Sequence, residues 1–597
     1  MSLAESPSKY FIPHHSITKI DRNKLKLRVV FDGSAKTPNG SLNDHLMVGE
    51  KLQRDIRDIL LNFRAHAIVF VTDIVKMYRN ILIDPEDRSY QHIYWRSIPS
   101  EKLQVFELNT VVYGLTSSPF LALRVIRQLG IDEGQQYPLA AKCIERDVYV
   151  DDIVTGCNSS SEALELQLQL INLMKSGGFE LSKWASNCKD ILKSVANDIS
   201  EDPVSLQNHE ESSLKILGLE WKPATDSFSF KITSYEHGFT KRSILSTVAR
   251  IYDPLGFLAP TVFYCKTFIQ EIWKEGLDWD QPLTQLLESR WQIVLDQLNV
   301  LSSINIPRFV ASNEQCQYQI VSFSDASTKG YCAVIYLRTI MADSIKVSLL
   351  ISKTKLAPLK TISVPRLELC ASFLLSKLYV SIQPFLSMLR GKLLPPVFFT
   401  DSTVVLGWLN MAPYLLKTFA ANRVAEISKL TPISQWKHVI SEHNPSDRGS
   451  RGLLPKDLVS DNLWWNGPHW IKLPQQEWPS SNYSNSDALP ELKKVSTILV
   501  AVNPEEPPFI KWMKKFSSFF QLLRVIAVLK RGIHNHRTKP HVRRGLLEPA
   551  DIEAAVHFCI KEVQRHHFLN NNDSNVGQFL KCFENLTPFL DKMEFGA

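Results

Sequence analysis

The stretch RDVYVDDIVTGC, Arg146 to Cys157, sets two aspartates side by side at the tip of an apolar run. Like charges repel there, and an ordinary hairpin bend would favour Asn-Gly or Asp-Gly. A divalent cation shared by Asp151, Asp152 and a third acid would resolve the repulsion. The strand-like run AIVFVTD ends at Asp73, and two strand ends on one sheet can bring Asp73 beside Asp151. Carboxylates alone make an oxygen-only site that suits Mg²⁺. Two such ions, roughly 4 Å apart, can activate an attacking oxygen and stabilise a leaving one in phosphoryl transfer. Taken by itself, an Asp-Asp turn is more often a solvated acidic bend.

The elements that would position these acids are legible nearby. Val148 to Val150 and Ile153 to Val154 flank the pair and predict a hairpin with Asp151-Asp152 at its bend. KLRVVFDGS and HAIVFVTDI read as strands, and SSEALELQLQLINLMKSGG as a helix capped by Ser160 or Ser161 and stopped by Gly177-Gly178. Lys241 to Trp279 reads as helices broken at Asp253-Pro254-Leu255-Gly256. A second α/β pattern runs from about Tyr318 to Gly452. It carries its own acids: Asp325 leaving a strand, Glu368 in the first turn of a helix opened by Pro365, Asp401 at a strand end, and Asp447 after a Pro turn.

The chain has 597 residues, which implies two to four domains. Its 44% hydrophobic and 22% charged residues are those of a soluble globular protein, and its net charge of +7 is compatible with a polyanionic partner without requiring one. The nine cysteines show no C-x-x-C pair and no zinc spacing, so they are expected to be reduced and mostly buried. The N-terminus lacks a signal pattern, and FFQLLRVIAVL, interrupted by Arg524, is too short to span a bilayer. A location that is cytoplasmic (particle-associated) or nuclear, with no secretion and no membrane partner, is the expectation.

Tyr149 to Asp152, YVDD between hydrophobic residues, resembles the polymerase box of reverse transcriptases. FVTDIVKMY resembles the first palm motif of that family, VVYGLTSSPF its Gly-rich segment under the incoming nucleotide, and GGFELSKWASN and KILGLEWKP the next palm motif and the primer grip. RVVFDGSAKT, YDPLGFLAP, SVPRLELCA and LWWNGPHW are similar to the BEL/Pao class of LTR retrotransposons, and the later Asp-Glu-Asp-Asp order resembles ribonuclease H.

The resemblance implies a multidomain α/β and α+β chain: a right-hand polymerase of fingers, palm and thumb, then a ribonuclease H-like α/β domain and a helical tail. The expected boundaries are 1–65 partial fingers, 66–235 palm, 236–315 helical thumb or connection, 316–455 ribonuclease H-like domain, 456–490 linker, and 491–597 a basic helical tail before a missing integrase. The resemblance further implies an RNA-directed DNA polymerase with ribonuclease H activity, from a retrotransposon polyprotein, using two Mg²⁺ (or Mn²⁺) per active site. Asp73 and Asp151 would bind metal with Asp152 assisting. Lys183 would give a proton to the leaving pyrophosphate. Arg28, helped by Lys24 or Lys26, would hold the triphosphate. Tyr78 would exclude the ribose 2′-OH, with Tyr113 and Gly114 beside the nucleotide. Asp325, Glu368, Asp401 and Asp447 would bind the second pair of metals, with Gly449 weakening the helix that carries Asp447. His443 is expected in solvent.

The implied partners are an RNA template, a DNA primer, the RNA–DNA hybrid and deoxynucleoside triphosphates, with a homodimer compatible. Lys241, Arg242, Arg250, Lys266 and Lys274 are candidates for phosphate contacts. The alternative is a catalytically inactive or domesticated fragment that only binds nucleic acid. No aspartic-protease signature occurs, and His566-His567 without following cysteines predicts no zinc.

Overall fold

The computed structural model describes residues 1–21, 24–198, 213–232, 238–312, 315–479, 489–493, 508–538 and 545–568. The chain divides into two compact units, Met1–Lys493 and Lys494–Ala597.

Among the described residues the first unit holds five sheets. β1 (Ser2–Leu3), β5 (His92–Trp95) and β6 (Gln104–Glu107) form one, in the order β1-β6-β5, and β2 (His14–Asp21) and β3 (Lys24–Phe31) form a separate hairpin. The sheet that carries the first acids has the order β7-β8-β4-β9, from β4 (Ile68–Ile74), β7 (Val148–Tyr149), β8 (Asp152–Cys157) and β9 (Leu181–Ser186). All its pairings are antiparallel, and its register sets Asp73 directly opposite Asp152. Phe70, Ile74 and Ile153 point from this sheet into a core with the helices Ser118–Asp132, Pro138–Asp147 and Ser160–Ser176. The last helix is capped by Ser159, one residue earlier than expected. Ser159 Oγ accepts from the Glu162 amide at 3.2 Å, the three-residue reach of an N-cap side chain.

β10 (Leu214–Ile216), β11 (Leu219–Lys222), β12 (Ser227–Ser229) and β13 (Ile306–Pro307) follow in that order in a small antiparallel sheet. The largest sheet runs β16-β15-β14-β18-β19, from β14 (Gln317–Ala326), β15 (Gly330–Ile340), β16 (Ile345–Leu356), β18 (Val397–Thr400) and β19 (Trp436–His438), with the short β17 (Lys392–Leu393) beside β14. Its first three strands are antiparallel, and β18 and β19 are parallel to β14. β14 is buried on both faces from Tyr318 to Ala326, and its polar Gln319, Ser322 and Ser324 are each hydrogen-bonded inside.

A buried polar contact joins helix Ile56–Ala65 to this last sheet. β16 carries a bulge where Ile335 pairs with Ile351 and Tyr336 with Leu349. The bulge turns two carbonyls toward Arg64, whose Nη1 donates to Leu349 at 2.9 Å and Leu350 at 3.0 Å. Burial holds that fully covered guanidinium well below its usual range, at about 9.

The break at Asp253–Gly256 docks on the same strand. Asp253 accepts from the amides of Phe257 and Leu258 at 2.8 and 2.7 Å, and the Ser352 amide donates to Leu255 at 2.9 Å. Gly256 has φ +76°, and a Cβ there would meet the Ser352 carbonyl at 2.2 Å, so only glycine fits. Asp253→Ala strips two buried amides of a carboxylate partner. We expect a loss of about 2–4 kcal/mol, read as a lower urea midpoint at unchanged slope.

Two expectations are corrected here. The expected linker 456–490 is packed structure over residues 456–478. Their tryptophans bury against the large sheet, and each indole finds an acceptor: Trp464 donates to the Phe257 carbonyl at 2.8 Å, Trp465 to Leu458 at 2.7 Å, Trp478 to Leu473 at 3.1 Å. Glu491 also stays with this unit, paired with Arg366 at 2.8 Å. Of the candidates for phosphate contact, Lys241 is ruled out, being buried and donating to the Leu277 carbonyl, while Arg242 stays exposed in a fork with Asp280 at 2.7 and 2.8 Å. Arg250, Lys266 and Lys274 are exposed.

The second unit contains the helices Pro508–Met513, Phe519–Arg537 and Pro549–Phe568, with Leu522, Leu523, Ile526, Ala527, Ala555 and Cys559 at its core. The side chains of His566 and His567 lie outside the described residues. Eight cysteines are described, all free and five of them buried. Among the described residues no helix is long and apolar enough to cross a membrane.

Candidate functional site

Asp73, Asp151 and Asp152 converge. One carboxylate oxygen from each lies within 4.8 Å of the others. The backbone carries the placement: β4 delivers Asp73, the β7–β8 bend delivers the pair, and the Ile74 amide donates to the Asp151 carbonyl at 2.8 Å. Val150, just before the pair, has φ +54°. A β-branched residue there costs of order 1–3 kcal/mol. The side chain of Gln53 holds the bend, accepting from the Val150 amide at 3.0 Å and donating to the Val148 carbonyl at 3.4 Å.

Burial is the largest influence on Asp152, with Asp151 and Asp73 next, and its pKa is pushed up to about 6. Burial also raises Asp151, and Asp73 adds to it. Lys183 opposes this. It occupies a bulge between Val71 and Asp73 with φ +57°, and its Nζ sits 2.6 Å from Asp73 Oδ2. Three convergent oxygens with mutual repulsion fit a hard divalent cation.

The Tyr78 and Tyr113 rings face each other at 5.0 Å, and burial followed by Asp151 raises the Tyr78 phenol. Gly114, at φ +91°, lets the β3 end approach: a Cβ would meet the Phe31 carbonyl at 2.1 Å. Arg28 is exposed on β3. The side chains of Lys24 and Lys26 lie outside the described residues.

In the second set, Asp325 closes β14, Asp401 follows β18, Glu368 lies on helix Val364–Ser381 and Asp447 on helix Ser446–Arg451. Glu368 is in the second turn of its helix, not the first, since Val364 and Pro365 occupy the opening positions. Burial pushes Asp325 up to about 7, with Asp401, Asp447 and Glu368 adding to the rise; among the described residues, however, no three of these four acids bring their oxygens as close together as Asp73, Asp151 and Asp152 do. Three serines that sequence reasoning missed hold three of the acids: Ser450 donates to Asp325, Ser402 to Glu368, and Ser441 to Asp401 at 2.7 Å. Asp401 Oδ1 is buried with no partner, an acceptor that suits a cation. Asp447 differs, because its carboxylate is engaged by Arg448 and Arg451.

Two further corrections apply. His443 is half-buried rather than solvent-exposed, and its Nδ1 accepts from Trp470 Nε1 at 3.2 Å. Gly449 is required by packing rather than being a weakness, since a Cβ would lie 2.2 Å from Cys332 Sγ.

The raised acids predict a pH dependence. A carboxyl whose folded pKa exceeds its unfolded value adds stability below about 4, and loses it as pH rises through about 6 for Asp152 and about 7 for Asp325. In EDTA the urea midpoint should therefore fall between about pH 4 and 7 and level off above that. Mg²⁺ should restore it most at the alkaline end, because the metal needs the deprotonated form.

Residues 240–402 match the family model described as a Pao retrotransposon-like RNaseH-like domain. The match spans Asp325, Glu368 and Asp401 and stops short of Asp447. Among solved structures, a foamy viral protease-reverse transcriptase in complex with RNA/DNA hybrid is similar at 14% identity and TM-score 0.48, over 74% of this chain and 51% of that one. A foamy viral protease-reverse transcriptase dRH in complex with ds DNA is similar at 15% identity and TM-score 0.48, over 74% and 67%. The chain spans about half the length of the first of these proteins. No curated protein sequence matches.

Proposed function

We propose that the chain is an RNA-directed DNA polymerase with a ribonuclease H centre, from a retrotransposon polyprotein of the BEL/Pao type. The observation that carries this reading is the convergence of Asp73, Asp151 and Asp152 at the mouth of an antiparallel sheet, in a chain whose residues 240–402 match a retrotransposon domain. The β7-β8-β4-β9 sheet is the palm in this reading, the β2–β3 hairpin belongs to the fingers, and the helices between Lys241 and Leu298 are the thumb or connection.

At the first cluster the three carboxylates would hold Mg²⁺ or Mn²⁺, which lowers the charge on the reacting phosphate and favours a nucleophilic 3′ oxygen. Lys183, ion-paired with Asp73 at 2.6 Å, would hold a proton beside the leaving pyrophosphate. Arg28 offers a fork suited to triphosphate oxygens. Asp325, Glu368, Asp401 and Asp447 would hold the metals that direct water onto the RNA strand of a hybrid. Such hybrids are gripped through backbone and 2′-OH rather than read by base.

Paired substitutions test the reading. Asp151→Asn should silence primer extension on an RNA template and spare hybrid cleavage, and Asp325→Asn should do the reverse. A chain that performs neither reaction before mutation, yet binds hybrid, belongs to the alternative of a non-catalytic nucleic-acid binder. Tyr78→Ala opens the space beside Tyr113. We expect ribonucleotide use relative to deoxynucleotide use to rise by about 10²-fold, the size of a removed steric clash of ~3 kcal/mol. Competition between the two nucleotide types measures it.

A further inference from the structure

The second acid cluster contains a cation of its own. Arg451 lies four residues after Asp447, and its Nε donates to Asp447 Oδ1 at 2.5 Å. An i,i+4 ion pair ordinarily joins two exposed side chains on one helix face. This pair departs from that pattern in two ways. The Asp447 side chain is only 14% exposed against 69% for Arg451, so an exposed cation is laid over a covered acid. The guanidinium also lies in the field of Asp325 and Asp401, which come from β14 and the end of β18 rather than from its own helix.

Arg448 makes an instructive contrast. Its Nε is anchored on Asp461 at 2.7 Å, and only its Nη1 reaches Asp447, at 3.4 Å. Among the described residues, Asp447 is the one acid to which Arg451 is ion-paired. It can leave without breaking a second bond. Asp325, Glu368 and Asp401 are held by serines, which are neutral and do not compete with a metal for charge. Asp447 alone is held by positive charge.

We propose that Arg451 is a resident counter-cation and positioning residue. It neutralises the cluster through Asp447 when divalent ions are absent, and moves to a phosphate of the bound strand when they arrive. The inference rests on the metal-binding reading of this cluster. A guanidinium and a divalent ion compete for one carboxylate, so Arg451 weakens metal binding in the free protein. A guanidinium fork also matches phosphate oxygens. Strand and metal therefore assist each other's binding, since a strand that draws Arg451 away releases Asp447.

The test uses the full chain carrying Asp73→Asn and Asp151→Asn, so that the first cluster does not contribute. Mn²⁺ affinity is followed by the paramagnetic resonance of the free ion. Binding of a short RNA–DNA hybrid is followed by anisotropy in Ca²⁺. Arg451→Gln should tighten Mn²⁺ by about fivefold and weaken the hybrid by a similar factor. The slope of log affinity against log salt should flatten by about one. Arg451→Lys should keep Mn²⁺ near the parent value, because its charge remains. A merely structural ion pair would shift the unfolding midpoint and leave both affinities in place, which would overturn the proposal. Asp325→Asn in the same background separates the two layers. If it lowers Mn²⁺ affinity while Arg451→Gln changes nothing, the counter-cation fails and the metal site stands. If it changes nothing either, both fall.

Discussion

Asp151→Asn lowers DNA synthesis by about 10³-fold or more and leaves the fold intact. The magnitude follows from the loss of a charged ligand at a site where the cation stabilises developing charge, an effect of several kcal/mol at about 1.4 kcal/mol per factor of ten. The specificity follows from exposure. Asp151 sits at the open edge of the cluster, its carboxylate only partly withdrawn from water, and the bend is held by main-chain contacts and Gln53 rather than by this carboxylate. Asparagine is nearly isosteric and removes one of three mutually repelling charges, so the metal-free protein should be no less stable. Single-turnover incorporation of one nucleotide reads the rate, and the urea midpoint in EDTA reads the fold. Equal losses in both would mean that Asp151 matters for folding rather than for synthesis.

Gly449→Ala has the second-largest expected effect, and it separates the two centres. The added Cβ would lie 2.2 Å from Cys332 Sγ and 2.9 Å from Cys332 Cβ, in a core position on β15 where neither can yield. The short helix Ser446–Arg451 must lift, taking Asp447 and the Ser450 hydroxyl away from Asp325. Overpacking of this kind costs about 1–3 kcal/mol. Hybrid cleavage should fall by about 10²-fold or more, since misplacement of about 1 Å has that consequence. Primer extension should persist, because the β7-β8-β4-β9 sheet is not involved. Adding Cys332→Ala removes the sulfur and should return much of the cleavage activity. A double variant as impaired as Gly449→Ala alone would place the fault elsewhere.

The acids were legible because their signals are local. Asp73, Asp325 and Asp401 sit at or just after strand ends and Asp447 in the first turn of a short helix, each marked by alternation, Pro or a turn within a few residues, and YVDD announces its own bend, whereas Glu368 lies one turn deeper in its helix than Pro365 suggests. The groups that hold those acids were not legible. Ser450 reaches Asp325 across 125 positions, and Gln53 reaches Val150 across 97. No periodicity in one sequence encodes such a contact. Gly449 looked like a weak helix start because its reason is Cys332, on a strand more than a hundred residues earlier. The tryptophan-rich stretch after Gly452 resists sequence reading for a different reason. Its Pro, Ser and Asn content suggests a linker, but Trp464, Trp470 and Trp478 are large apolar surfaces with one donor each, and they bury wherever that donor is satisfied. Their density was the available signal. The cations at Lys241 and Arg242 could not be sorted from their neighbours, because a basic helix face looks the same whether or not Asp280 lies opposite.

The most direct measurement is incorporation of a single deoxynucleotide by the purified full chain on an RNA template with a DNA primer, across a Mg²⁺ and Mn²⁺ titration. Extension should appear with metal, saturate, and vanish in EDTA and in Asp151→Asn. No incorporation at any concentration of either metal, or extension that survives Asp151→Asn, would contradict joint metal binding by Asp73, Asp151 and Asp152.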